Sequence, residues 1–190
     1  MQFLAIAFVA AIIFGICWAV DKTFTKLFRS KAQHLSGLAV RANKRYGIFG
    51  VVFSILGIMG TISGPADPVL FYAGIIVLLI GIGLTVHYLS FGIFYNGESM
   101  LVSRLGKKDR EYQFSQIQQQ KLYVITGGST VIELHMDDGS AVSLQSTMDG
   151  VYPFMDAAFA GWCMQTGHDM QECDFYAPSK SWWFPHEEDV

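Results

Sequence analysis

Charged side chains are scarce in this chain: Asp, Glu, Lys and Arg make up 15% of its 190 residues, where a soluble domain usually carries about a quarter. With 52% of residues hydrophobic, the apolar excess calls for a membrane. The formal net charge is only -3, and neither end carries a long basic tail. Both facts argue against a nucleic-acid partner. Cysteine is also sparse. Cys17, Cys163 and Cys173 are an odd set and form no disulfide framework. No Ser-His-Asp order, paired catalytic carboxylates or phosphate-cradling glycine loop is present, so the expectation is a non-enzyme with no cofactor.

What is there begins with three apolar runs, expected as transmembrane helices over about residues 1–20, 46–63 and 69–88. A helix of twenty residues rises about 30 Å, the thickness of a bilayer core. The first run has basic residues after it and none before it, the reverse of a signal peptide, and reads as an uncleaved anchor. Gly60 in the second run and Gly64 just after it have the spacing that lets membrane helices approach closely. Ser63-Gly64-Pro65-Ala66-Asp67-Pro68 then makes a tight turn into the third run. Orientation follows from the loops. Lys22, Lys26, Arg29, Lys31, Arg41, Lys44 and Arg45 all lie in the loop 21–45, and the loop 63–68 has no basic residue. The N-terminus is therefore expected outside a cell (plasma) membrane, with the loop 21–45 and residues 91–190 in the cytoplasm. The basic loop reads either as a helical extension of the first span or as an amphipathic, lipid-attracted segment. His87, near the cytoplasmic end of the third run, reads as an interfacial histidine.

Near residue 91 the hydrophobic period changes to two, marking a boundary between a membrane part, 1–90, and a soluble part, 91–168. Asn96-Gly97 is a strong hairpin signal. Six strands are expected between Gly92 and Leu144, with Ser115-Gln116-Ile117 as a short link and an antiparallel meander as the result. Val151, Phe154, Met155, Ala158, Phe159, Trp162 and Cys163 then follow helical spacing. Asp149 is the expected N-cap and Gly167 the expected stop. The fold class is thus an all-α membrane part followed by a small antiparallel β-barrel or meander capped by a C-terminal α-helix.

The run Phe94-Tyr95-Asn96-Gly97-Glu98, then Phe114-Ser115-Gln116-Ile117, then Ile132-Glu133-Leu134-His135-Met136-Asp137-Asp138-Gly139 before the last strand and helix resembles the bacterial pleckstrin-homology-like (PH-like) domain. The whole chain is similar to small bacterial membrane proteins that carry such a domain. The resemblance implies a seven-stranded fold that acts as a binding surface.

Three groups of residues are candidates for binding. Arg104, Lys107, Lys108 and Arg110 cluster near one turn, as recognition of a lipid headgroup requires, although Asp109 and Glu111 stand among them. Cys163, His168 and Cys173 copy half of a zinc knuckle, with His186 as the obvious fourth ligand. In the acidic, aromatic tail 169–190, Trp182, Trp183 and Phe184 have the character of partner-binding anchors, with packing on the chain's own domain as the alternative. The leading expectation is a membrane-anchored adaptor that binds a protein partner or assembles as a homo-oligomer. A sensor of anionic lipid headgroups is the second reading, and an accessory subunit of an oligomeric transporter the third.

Overall fold

The computed structural model describes residues 38–63 and 67–186, together with Gly15 and Trp18. The first expected span and most of the basic loop fall outside these residues. Two antiparallel sheets and three helices make up the described chain. The described residues divide into two compact units, one holding residues 42–63 and 67–91 and the other residues 38–41 and 92–186.

In the first unit, α1 (Lys44–Ser63) and α2 (Pro68–Leu89) form a hairpin of helices. Both are apolar on every side and long enough to cross a bilayer. Their outward side chains are large hydrophobics, among them Met59, Ile62, Val69, Tyr72 and Leu79. Asp67 starts α2, its carboxylate accepting from the Val69 and Leu70 amides, with Pro68 in the first turn. Glycines line the seam between the helices. A Cβ on Gly57 would run into the Leu78 backbone, and one on Gly81 would meet Ser54. Gly60 faces Gly74 across the same seam. Ser54, Thr61 and Thr85 return their hydroxyls to carbonyls of their own helices, so none of the three requires water.

In the second unit, sheet A has the order β1 (Leu38–Arg41), β2 (Phe91–Tyr95), β3 (Ser99–Arg104) and β4 (Arg110–Gln113). Sheet B has the order β5 (Ile117–Val124), β6 (Thr130–Met136) and β7 (Ala141–Gln145). β1 comes from the stretch read as a basic loop, and it pairs antiparallel with β2, Arg41 opposite Gly92. In chain order the helical hairpin thus lies between two strands that pair with each other. Four residues are too short for a period to emerge from the sequence, and Val40 is the completely buried one. The strand is held at its other side as well, where Arg41 and Asp149 exchange backbone hydrogen bonds of 3.1 and 2.9 Å.

Two local expectations are corrected. Asp149 does not cap the last helix, α3 (Val151–Thr166), because its backbone is committed to Arg41. Gly150 takes the cap position at φ 83°, where a Cβ would stand 2.6 Å from the Ala39 carbonyl oxygen. The link 115–117 is a 3-10 turn (Phe114–Gln116) with Ile117 already in β5. The Asn96 turn forms through its side chain, whose oxygen accepts from the Glu98 and Ser99 amides at 2.7 and 2.6 Å. Gly167 ends α3 as expected, at φ 76°. The core gathers Ile93, Met100, Phe114, Ile132, Leu134 and Leu144 from the strands with Phe154 and Phe159 from α3, all fully buried.

Candidate functional site

The turn between β3 and β4 and the turn between β6 and β7 together border a cavity of about 450 Å³, lined by Val102, Arg104, Lys107, Lys108, Arg110, Tyr112, Ser140, Ala141 and Val142. Strand alternation decides which side chains meet there. Arg110 is opposite Val102 and Tyr112 opposite Met100, so Arg110 and Tyr112 share one face of β4. Gly106, at φ 77°, makes the turn that carries Lys107 and Lys108, closed by the Lys107 amide on the Arg104 carbonyl at 3.1 Å. All four cations expected from the sequence therefore border one cavity.

Tyr112 and Ser140, which sequence reasoning passed over, complete it. Tyr112 is buried, and its hydroxyl lies 2.9 Å from the Ser140 hydroxyl, a link between the two sheets. Arg110 donates from Nη1 to the same phenol oxygen at 3.4 Å and lies 3.9 Å from the Asp138 carboxylate. Asp138 in turn accepts from the Ser140 amide at 2.8 Å. Hydrogen bonds from Ser140 hold the Asp138 carboxyl below the usual carboxylate range, and Arg110 adds to the effect. The hydrogen bond to Tyr112 and the nearby Asp138 raise the Arg110 pKa, so its charge is permanent. Residues 112 and 140 are 28 apart in the chain, and no spacing rule pairs them.

Chemically, the site offers guanidinium and ammonium donors with two hydroxyls beside them, a set suited to phosphate or carboxylate oxygens. It contains no nucleophile paired with a base. A second, wider cleft in the same unit has the opposite character: Glu98, Glu111 and Asp137 stand on it, with Asn96, Gln113 and Gln116.

Trp183 and Phe184 are 1% and 0% exposed, and Trp182 is half-buried. Trp183 and Phe184 pack on β5 and α3 of their own unit. The Trp183 indole donates to Asp156 at 2.7 Å, and the Phe184 ring stands 5.9 Å from Phe159 and 6.0 Å from Trp162. Cys163 is buried on α3, and its thiol is pushed up to about 11 by burial, with Cys173 adding to the shift. The His168 ring stacks on Trp162 and shares a hydrogen bond with Thr166, while the Cys173 thiol donates to the Asp169 carbonyl. His186 lies against Trp182. Among the described residues no group of three or more His, Cys, Asp or Glu is arranged to hold a metal ion. Compared with family models, curated proteins and solved structures, the chain matches none.

Proposed function

We propose that this protein is a membrane-anchored, non-enzymatic binding module whose basic cavity takes the phosphate of an anionic lipid headgroup. The observation that carries the reading is the convergence of Arg104, Lys107, Lys108 and Arg110 with the hydroxyls of Tyr112 and Ser140 on one cavity. A polybasic site at an anionic leaflet gains about 1 kcal/mol per cation, roughly fivefold in binding. Two helices of the same chain, α1 and α2, are long and apolar enough to cross a bilayer, which supports a bilayer as the source of the anion. Seven strands in two sheets and one closing helix support assigning the second unit to the PH-like type. In this reading α1 and α2 span the cell membrane together with the apolar segment at 1–20, and the second unit is cytoplasmic, where the positive loop 21–45 would remain.

The adaptor reading placed its anchor at Trp182, Trp183 and Phe184, and the burial of the last two removes them from the free surface. The test is hydrogen exchange on the full chain in nanodiscs of phosphatidylcholine alone or with phosphatidylglycerol. Slower exchange of the 104–112 amides with the anionic lipid is expected, and 0.5 M salt should abolish it. Lys107→Ala should weaken the effect by about fivefold. Equal exchange in the two lipids would refute the reading.

A further inference from the structure

The aromatic end of the chain is held on a groove between β5 and α3, and its contacts are those of a bound extended peptide. Gln120 of β5 is completely buried and reads only the backbone of this segment. Its Nε2 donates to the Ser181 carbonyl at 2.6 Å, and its Oε1 accepts from the Trp183 and Phe184 amides at 2.9 and 3.2 Å. The Gln120 amide itself donates to the Pro185 carbonyl at 2.8 Å, which adds the segment to the edge of the strand. Trp183 and Phe184 supply the side-chain anchors, one against Tyr152 and Asp156, the other against Phe159 and Trp162. None of these contacts requires the segment and the groove to belong to one chain.

The connection that brings the segment back is a tight turn. Ala177 and Trp182 exchange two backbone hydrogen bonds around the 3-10 turn Pro178–Lys180. Ser181 closes it at φ 64°, and it is the one non-glycine residue with positive φ among the described residues. A serine held in the left-handed region is strained, and a short strained hinge favours exchange of the element that follows it.

We propose that the β5–α3 groove is a docking site for the C-terminal segment of a second copy of this chain, so that two copies exchange residues 182–186. The occupant is named by complementarity: groove and ligand are both encoded here, and each contact made within one copy is reproduced between two. Opening the turn releases Ser181 from its left-handed conformation and sacrifices only the bonds of the turn itself. An exchange of this kind is isologous and closes at two copies.

The test uses two full-length copies expressed together, one untagged with a photo-crosslinking amino acid in place of the exposed Lys180, the other affinity-tagged without it. After irradiation, tagged chains are recovered under denaturing conditions and crosslinked peptides are mapped by mass spectrometry. The expected result is a two-chain adduct joining position 180 of the untagged copy to a β5 or α3 peptide of the tagged copy. Ser181→Gly in both copies, which removes the strain, should lower its yield severalfold. Adducts confined to single chains, or two-chain adducts on other surfaces, would overturn the proposal. Should the probe at position 180 prevent folding, judged by circular dichroism, the same probe at the exposed Ser179 decides the question on the same criteria.

Discussion

Replacing Gln120 by leucine removes the three side-chain hydrogen bonds that Gln120 makes to the C-terminal segment while nearly preserving the volume of the side chain. Three groups lose their partner: the Ser181 carbonyl and the Trp183 and Phe184 amides. Trp183 and Phe184 are almost wholly buried, so water does not reach their amides unless the segment lifts. A buried polar group left without a partner costs about 1–3 kcal/mol, which sets the gross loss at about 3–9 kcal/mol for the three. The segment can escape that cost by detaching, and detachment exposes two aromatic side chains worth about 1.5–3 kcal/mol each. That exposure is the same in the wild type, so the penalty on the closed state alone shifts the opening equilibrium, by ~3 kcal/mol or more, about a hundredfold in population. Hydrogen exchange on the full chain in nanodiscs reads this directly. The amides of residues 182–184 should exchange about a hundred times faster in Gln120→Leu than in the wild type, while those of β6 and β7 keep their rates. Trp182→Ala, at a half-buried position, should change the same amides by less than about tenfold. If Gln120→Leu leaves them within about threefold of the wild type, the side chain of Gln120 does not hold the segment and the reasoning fails.

Three further outcomes are expected. Gly161→Ala would put a Cβ 2.5 Å from Phe114 Cδ2 and 2.7 Å from the Gly97 carbonyl oxygen, and should destabilise the second unit by about 1–3 kcal/mol in denaturant titration of the full chain. Gly81→Ala would drive a Cβ into Ser54 in the seam of the helical hairpin, and should lower the thermal stability of the detergent-solubilised chain, whereas Gly83→Ala, which meets nothing within 4 Å, should leave it unchanged. With its thiol pushed up to about 11 by burial, Cys163 is the thiolate in only ~1 in 1,000 molecules at pH 8. Iodoacetamide at pH 8 should modify the half-exposed Cys173 well before Cys163, and the Cys163 rate should climb tenfold per pH unit above pH 8; equal rates at the two cysteines would show that α3 does not bury the thiol.

The apolar helices and most of the strands were legible because each is a local pattern. Continuous apolar runs bounded by Asp67-Pro68 and by Tyr46 produced α1 and α2 within two residues of their ends. Alternation with turn residues produced β2, β3, β4, β6 and β7, and apolar spacing produced α3. Two strand assignments were incomplete for physical reasons. β1 has four residues and depends on pairing with β2 and on the bonds to Asp149. The start of β5 was hidden because Gln118, Gln119 and Gln120 show no alternation of polarity, although Gln120 points inward and is buried. That burial is tolerable only because the segment 181–184 supplies its hydrogen-bond partners.

The same division holds for the candidate site. By itself the sequence determined the four cations, since Arg104, Lys107, Lys108 and Arg110 lie within seven residues and a turn must carry them together. It also determined that the aromatic end is too apolar to be a solvated tail. Only the tertiary structure decided that Tyr112 and Ser140 complete the basic cavity, because their meeting depends on how the two sheets come together. Only it decided that Trp183 and Phe184 face inward, because their burial requires a groove whose walls, β5 and α3, are brought together by folding. Local patterns record what each segment prefers; contacts between residues far apart in the chain depend on which preferences can be satisfied at once.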